Sequence, residues 1–541
     1  MQTFKVEMPD GCHLATDVLL PDGPGPFPVV LTRTPYNRKG LSGNASSYAA
    51  VLPRSGYACV VQDVRGKFES EGAFRPLWDE GADGAATLDW IANEPWCNGR
   101  IGMTGMSYLG MVQGYAAASG HPALRCVMPG ICPQSYFIDW LRYDGCFALA
   151  NAIRWSMTHN AGRVEPKMDH FTWADLWRQP SVDAVFDRAG FEAPALREWV
   201  EHDVYDDYWR GLDLHPKYAS VTAAAFHTGG WFDHITRGQF QAYEGIRDRG
   251  ASDAARSGQR LLVGPWGHMT VGQTRYGEWD FGPGAAWDRA AYERRLLDLW
   301  LKDIDDGIGD ESPVRLFVMG VNRWMDFADW PVPGARTTSW HLGPGRLDQS
   351  TPGHSAPDSY SYDPRDPCPT LGGVIYWGIE PAGPVDQRAI LSRDDVLLYR
   401  SEPLAEPLSV VGEIGLDLWI TSDAPDTDFI AKLCVVEPND RVTCLTLGSL
   451  RCRYRDGWDR CVPLEKNEPT PIRVQLGQLA YVFAAGSRIA LMITSSSFPR
   501  ILPHPNTLAP TWTERSPQVA VNGVLHDAEH PSRLLLPVID L

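Results

Sequence analysis

The chain has 541 residues, 44% of them apolar and 21% charged, with a formal net charge of −18. That balance suits a soluble globular protein and excludes a disordered one, and the length exceeds what one hydrophobic core supports, so two or three domains are expected. The acidic excess withholds the basic surface that phosphate backbones require, which excludes nucleic acid as a partner.

Residues 1–10 lack the basic-then-apolar layout of a secretory signal, and no apolar run approaches the roughly 18 residues of a membrane helix. Eleven cysteines, an odd number with no C-x-x-C pair and no Cys/His cluster at zinc spacing, read as scattered reduced thiols. The expectation is a cytoplasmic protein with no membrane partner, no metal and no cofactor. Association into a homo-oligomer is left open.

In chain order, residues 11–20 alternate toward a strand, 21–26 carry Pro/Gly turn chemistry and 28–32 form a short apolar strand, together a predicted hairpin. A buried strand follows at 57–62, with a loop containing Tyr36 between. Helical spacing predicts a helix over 79–92, then a strand at 101–104, a tight turn at 105–110 and a small-residue helix at 111–118. This is the rhythm of a parallel α/β sheet.

From 135 to 216 the rhythm stops and aromatic, helix-compatible segments such as 151–157 and 171–177 replace it, which reads as an inserted helical cap. Strands resume at 223–228 and 260–263. Beyond 333 turn residues cluster (343–369) and short β-like runs follow at 414–420, 429–435 and 488–494, the texture of a β-sandwich, specifically a jelly roll. The expected division is an α/β core over 1–134 and 217–333, a cap over 135–216 and a jelly roll over 334–541.

Gly105-Met106-Ser107-Tyr108-Leu109-Gly110 lies where a strand turns into a helix, the setting of a nucleophile elbow. The helix N-terminus behind Ser107 favours developing negative charge. The match to G-x-S-x-G is imperfect, because Leu109 stands at the second glycine and Gly110 one place later. A serine needs a histidine to remove its proton and a carboxylate to orient that histidine, in the chain order Ser, acid, His for this setting. Asp233 follows the 223–228 strand and His268 follows the 260–263 strand, both at strand carboxyl ends where an open α/β sheet places its site.

His227 and His234 are rival bases, read as structural. The Tyr108 backbone N–H is the expected first oxyanion donor; the Tyr36 hydroxyl is a candidate second, although spacing alone favours a packed loop tyrosine. Asp63 and Arg65 read as a loop-bracing ion pair rather than a substrate clamp. Trp140, Trp155 and Phe232 are taken as pocket residues, with the caution that cap aromatics at helical spacing are usually core.

These motifs resemble the cocaine esterase and X-Pro dipeptidyl peptidase (CocE/NonD) family of α/β-hydrolases. Thr34-Pro35-Tyr36, Asp63-Val64-Arg65-Gly66, the Ser107 elbow, Gly230-Trp231-Phe232-Asp233 and Gly264-Pro265-Trp266-Gly267-His268 stand in that family's order. The resemblance continues through residues 314–320, 422–429 and 495–500 into a C-terminal jelly-roll domain. It implies an α/β-hydrolase core with a helical cap, a triad of Ser107, Asp233 and His268, and an oxyanion hole made by Tyr36 and Tyr108, and it accounts for the displaced Gly110.

The implied activity is hydrolysis of a small-molecule carboxylic ester or amide through an acyl-enzyme on Ser107. The family spans aromatic esters, α-amino acid esters and X-Pro peptides, and the fold does not choose among them. His234-Ile235 departs from the family motif beyond the acid, so the cocaine-esterase pocket does not transfer. Substrate ammonium recognition would need carboxylates; Asp139, Asp144, Glu165 and Asp169 in the cap are the acids available. The alternatives are an acyltransferase using the same acyl-enzyme, an X-Pro or α-amino acyl peptidase-type hydrolase, and a non-catalytic ligand-binding protein.

Overall fold

A computed structural model describes residues 1–42, 51–376 and 378–541. Its first layer is a ten-stranded sheet of β1 (Gln2–Glu7), β2 (His13–Leu19), β3 (Phe27–Thr34), β4 (Ala58–Asp63), β5 (Cys97–Met106) and β6 (Leu124–Gly130), then, after a short separate hairpin β7 (Arg142–Tyr143) and β8 (Cys146–Phe147), β9 (Ala224–Gly230) and β10 (Gln259–Gly264). A second small hairpin, β11 (Arg275–Tyr276) and β12 (Trp279–Asp280), precedes the last two strands, β13 (Val314–Val318) and β14 (Arg323–Phe327). The order across the sheet is β1-β2-β4-β3-β5-β6-β9-β10-β13-β14. The central strands from β4 to β13 are parallel, and antiparallel pairs close both edges.

Parallel strands covered on both faces read as continuous apolar runs, and alternate residues of each run enter different cores. Val29, Leu31, Ala58, Val60, Ile101 and Met103 pack with Leu88 and Ile91 of the helix Glu80–Asn93 and with Met111 and Val112 of the helix Tyr108–Ala117. Val30, Cys59, Val61, Cys126 and Leu262 face the other way, onto Leu296, Leu297 and Leu301 of the helix Arg289–Lys302. This double covering orients the carboxyl ends of β3, β5, β9 and β10 toward one side of the molecule.

The expected hairpin at residues 11–32 does not form. β2 pairs with β1 and β4, and β4 lies between β2 and β3. The Pro/Gly segment bridges over β4 instead of folding β2 back on β3, because the fully buried β4 gains a ladder on each side by entering the gap. β1 was not foreseen at all.

The segment between β6 and β9 is helical: Leu149–His159, Trp173–Trp177, Val182–Ala189, Pro194–Glu201 and Asp207–Leu212. Side-chain caps begin three of these helices, with Thr172 in a capping box, Ser181 accepting from the Ala184 N–H and Asp206 accepting from the N–H groups of Tyr208 and Trp209. Their apolar stripes (Val185, Phe186, Leu196, Trp199) merge into the same core as the sheet.

From Arg336 onward the described regular elements are two short 3-10 turns and strands joined into an eleven-stranded sheet. Its longest pair, Leu408–Ser422 with Thr470–Phe483, bends at a bulge between Ile414 and Gly415. Leu416, Val474 and Leu534 share one core with Leu433, Leu491 and Ile493 of other strands, the enclosed interior of a β-sandwich. Arg142, fully buried and paired with Asp203 of the same insertion at 3.0 Å, ties the helical insertion to this domain by donating to the Thr511 hydroxyl at 3.0 Å. Among the described residues no helix is long and apolar enough to cross a membrane.

Candidate active site

Ser107 sits between β5 and the helix Tyr108–Ala117 with φ 59° and ψ −129°, a left-handed conformation that a non-glycine residue adopts at a cost of roughly 1–3 kcal/mol. The turn is held from below, as the Ser107 N–H donates to the Gly130 carbonyl at 2.9 Å. Gly105 has φ +146°, and a Cβ there would lie 2.4 Å from the Leu109 Cβ. Gly110 turns its missing side chain toward β6, where a Cβ would stand 2.9 Å from the Gly130 oxygen. The second glycine is thus displaced by one because the helix meets β6 at position 110, while Leu109 faces the cavity.

Gly105→Ala is therefore expected to destabilise the elbow by about 2–5 kcal/mol, the sum of the φ strain and the overpacking against Leu109. A lowered thermal midpoint together with loss of labelling by a fluorophosphonate checks this. Unchanged values of both would refute the assigned turn.

Asp233 follows β9 and His268 follows β10, and the two loops are laced together by the Trp231 N–H on Gly264 O at 2.9 Å and the Phe232 N–H on Trp266 O at 3.0 Å. His268 Nδ1 lies 2.9 Å from Asp233 Oδ2 and His268 Nε2 lies 3.1 Å from Ser107 Oγ. The second carboxylate oxygen, Oδ1, accepts the Ile235 N–H at 3.1 Å. Burial alone would raise the Asp233 pKa, but the imidazoles of His268 and His234 hold it well below the usual carboxylate range. Asp233 is an acceptor-only group at any working pH, so His268 carries its proton on Nδ1 and offers Nε2 to the serine proton.

Tyr108, the first residue of the helix, has a backbone N–H without an intrahelical acceptor. Its side chain is anchored away from the cavity, donating to Glu80 Oε1 at 2.8 Å and accepting the Leu77 N–H at 3.0 Å. The Tyr36 hydroxyl lies on the same cavity as Ser107, and burial pushes its pKa up to about 12, so it stays protonated. Ser107, His268 and Tyr36 open onto a cavity of about 770 Å³ whose remaining walls are largely apolar, with Met106, Leu109, Ile131, Met269 and Val271 among them.

The three aromatics expected along this wall lie elsewhere. Trp140 and Trp155 are 2% and 3% exposed inside the cap core, and Phe232 is fully buried against Tyr276 and Phe281. Aromatics at helical spacing here follow the ordinary rule and fill the core. Asp63 and Arg65 brace the neighbouring loops, but not by pairing with each other: Asp63 accepts from the Arg38 backbone and guanidinium at 2.6 and 2.7 Å, while Arg65 pairs with Asp83 at 2.7 Å and with Asp10.

His227 is buried with Nε2 2.8 Å from Gln259 Oε1, away from the serine. His234 is buried beside the row, its Nδ1 3.1 Å from Asp233 Oδ1 and its ring 5.2 Å from that of His268. Burial pushes its pKa down to about 4, leaving it neutral. Asp233, His234 and His268 form the group of donors, among the described residues, close enough to hold an ion, but two of the three are already committed to each other. Of the cap acids, Asp144 pairs with Arg237 at 2.9 Å and Asp139 lies 3.7 Å from the same guanidinium; Asp169 is exposed beside His170. Glu165 lines the cavity.

Tyr376 is a wall residue that the sequence did not mark. It comes from a loop of the β domain and packs its ring 5.6 Å from that of His268 and 4.8 Å from that of His234. Nothing local distinguishes it, because the contact joins segments more than one hundred residues apart.

Comparison with known proteins agrees with this architecture. Residues 10–270 match the model of the X-Pro dipeptidyl-peptidase (S15 family), and residues 306–535 match that of the X-Pro dipeptidyl-peptidase C-terminal non-catalytic domain. A cocaine esterase of Rhodococcus sp. (strain MB1 Bresler) is 34% identical, the alignment covering 99% of this chain and 97% of that protein. The chain belongs to the cocaine esterase and X-Pro dipeptidyl peptidase family of α/β-hydrolases. A putative serine esterase of Mycobacterium bovis is 27% identical over 99% of this chain and 94% of its own length. Among solved structures, an aminopeptidase from a marine sediment Thaumarchaeota archaeon superposes with a TM-score of 0.88 at 27% identity, covering 100% of this chain and 96% of that one. An α-amino acid ester hydrolase gives 0.86 at 26% identity, covering 99% and 96%. Family membership makes the protein a serine hydrolase acting on small molecules, with an α/β-hydrolase core, an inserted helical cap and a C-terminal β-sandwich of the jelly-roll type.

Proposed function

We propose that this family member is a carboxylic ester hydrolase in which Ser107 is the nucleophile, His268 the general base and acid, Asp233 its orienting carboxylate, and Tyr36 Oη with the Tyr108 N–H the oxyanion donors. The observation that carries the reading is the continuous hydrogen-bonded row from Ser107 through His268 to Asp233 at the floor of a large apolar cavity. Ser107 Oγ adds to the ester carbonyl while its proton passes to His268 Nε2. The oxyanion is held by the two donors, and collapse expels the alcohol, which takes the proton from His268. Water then repeats the sequence on the acyl-enzyme, releasing the acid and restoring Ser107.

The cavity supports a neutral, apolar acyl ester over an α-amino acyl or X-Pro substrate. An ammonium group entering it needs a free carboxylate, and Asp139 and Asp144 are engaged by Arg237. Glu165 favours the second reading, since it faces the cavity, and so does the similarity to an aminopeptidase and an α-amino acid ester hydrolase. We assign residues 1–134 and 217–333 to the catalytic core, 135–216 to the cap and 334–541 to the β domain. The eleven unpaired thiols support a reducing, cytoplasmic setting.

The test is a chromogenic panel of short acyl, long acyl, aryl-acyl and α-amino acyl esters and an X-Pro anilide, with Ser107→Ala as blank. Aryl or simple acyl esters are expected to exceed the α-amino acyl ester in kcat/KM by about tenfold or more, the scale of roughly 1–3 kcal/mol for a buried polar group left unpaired. A reversed order would select the peptidase-type reading. Product analysis with added alcohols separates hydrolysis from acyl transfer, and the free acid is expected to dominate.

A further inference from the structure

The Tyr36 hydroxyl has one proton, and only one orientation of that proton serves the oxyanion. Its neighbour is Trp155, on the cap helix Leu149–His159, whose Nε1 lies 3.3 Å from Tyr36 Oη. An indole N–H is a donor and never an acceptor. Tyr36 Oη must accept from it, which turns the hydroxyl proton away from Trp155 and toward the cavity that Tyr36 shares with Ser107.

Donors and acceptors order the triad in the same way. Asp233, a carboxylate, only accepts; His268 Nδ1 therefore donates to it and Nε2 accepts the Ser107 proton. A donor-only indole sets the Tyr36 proton, and an acceptor-only carboxylate sets those of His268 and Ser107. Trp155 also touches the other donor: its ring stacks on that of Tyr108 with centroids 5.7 Å apart and planes at 12°. Edge contacts with Trp140 at 5.2 Å and a tilted contact with Trp199 at 5.9 Å hold it from behind. At 3% exposure and off the cavity wall, it is not placed to bind substrate.

We propose that Trp155 is a positioning residue of the oxyanion hole, whose indole N–H sets the direction of the Tyr36 hydroxyl and so preorganises it for the tetrahedral intermediate. The inference rests on the reading of Tyr36 as an oxyanion donor. Preorganised dipoles act because they need no reorientation as charge develops, and a hydroxyl polarised by a donor behind it is a stronger donor in front.

The experiment is a double-mutant cycle of Trp155→Phe and Tyr36→Phe on a chromogenic ester. Trp155→Phe keeps an aromatic ring against Tyr108 and removes the N–H; site-specific replacement by 3-benzothienylalanine, which puts sulfur where the N–H stood, does so without changing shape. Removing a direct oxyanion donor costs about 10²–10³ in kcat, so Tyr36→Phe is expected to fall by that factor. Either change at Trp155 is expected to lower kcat about tenfold with KM unchanged, and to weaken phenylboronic acid, which forms a tetrahedral adduct on serine, by a similar factor. In the Tyr36→Phe background the Trp155 effect should shrink to less than about twofold, because the interaction it serves is gone.

Equal losses in both backgrounds would mean that Trp155 acts by packing alone and would overturn the proposal, as would no loss with the sulfur isostere. A Tyr36→Phe enzyme with near wild-type kcat would remove the underlying reading and this inference with it. That result is distinguished from the first two by the Tyr36 variant alone.

Discussion

Ser107→Ala is expected to lower kcat by about 10⁶, to a residual rate that the oxyanion donors and cavity still support. The side chain contributes little to the fold, since the strained turn is set by the backbone, by Gly105 and by the Ser107 N–H on Gly130, so the variant should fold and retain its cavity. KM for the surviving activity, where chemistry is slow and KM approaches the dissociation constant, should change little. His268→Ala is expected to cost about as much, because nucleophile and base act as a unit and their losses do not add; the double variant should be no worse than either. A loss below about a hundredfold in Ser107→Ala, or additive losses in the pair, would place the nucleophile elsewhere. Labelling by a fluorophosphonate in wild type and its absence in Ser107→Ala checks the same assignment without turnover.

The row of catalytic candidates was legible because each member sits at the carboxyl end of a strand that announces itself. Residues 101–104, 223–228 and 260–263 are apolar runs ending in glycine-rich turns, and the parallel sheet places β5, β9 and β10 within four neighbouring strands, with only β6 between β5 and β9, so that Ser107, Asp233 and His268 converge at one sheet end. Spacing alone left Tyr36 as a packed loop residue; the family resemblance, not its local pattern, marked it. What the sequence hid is of a different kind. The place of β4 between β2 and β3 depends on pairing preferences among strands that look equally apolar. Trp140 and Trp155, on the separate cap helices Tyr136–Leu141 and Leu149–His159, show the same local pattern whether they line a cavity or fill a core, and periodicity does not say on which side the cavity lies. Tyr376 reaches the site only because the β domain docks there, through contacts such as Arg142 with Thr511, and no window of sequence contains both partners. Local rules thus placed the groups that sit on the sheet, while the groups held against the sheet by other layers needed the folded chain.

Asp233→Asn is expected to lower kcat by about 10⁴ while leaving the fold intact, and the local geometry explains why the isostere is so poor. The Oδ1 position accepts the Ile235 N–H at 3.1 Å, so an asparagine must keep its carbonyl oxygen there; the opposite rotamer would set donor against donor in a buried site. Its NH2 then takes the place of Oδ2, 2.9 Å from His268 Nδ1, where it can only donate. His268 is driven to the tautomer with its proton on Nε2, facing Ser107, and a protonated nitrogen cannot accept the serine proton. His234 offers no rescue, since burial pushes its pKa down to about 4, which leaves it uncharged and without the negative charge that stabilises an imidazolium. The same geometry sets the sign of the pH response in wild type. Asp233, held well below the usual carboxylate range, remains ionised as pH falls, so loss of its carboxylate is not expected to be what inactivates the enzyme in acid. Measured by kcat on a chromogenic ester and by the rate of fluorophosphonate labelling, Asp233→Asn should fall in parallel in both. A drop of less than about tenfold would mean that another group orients His268.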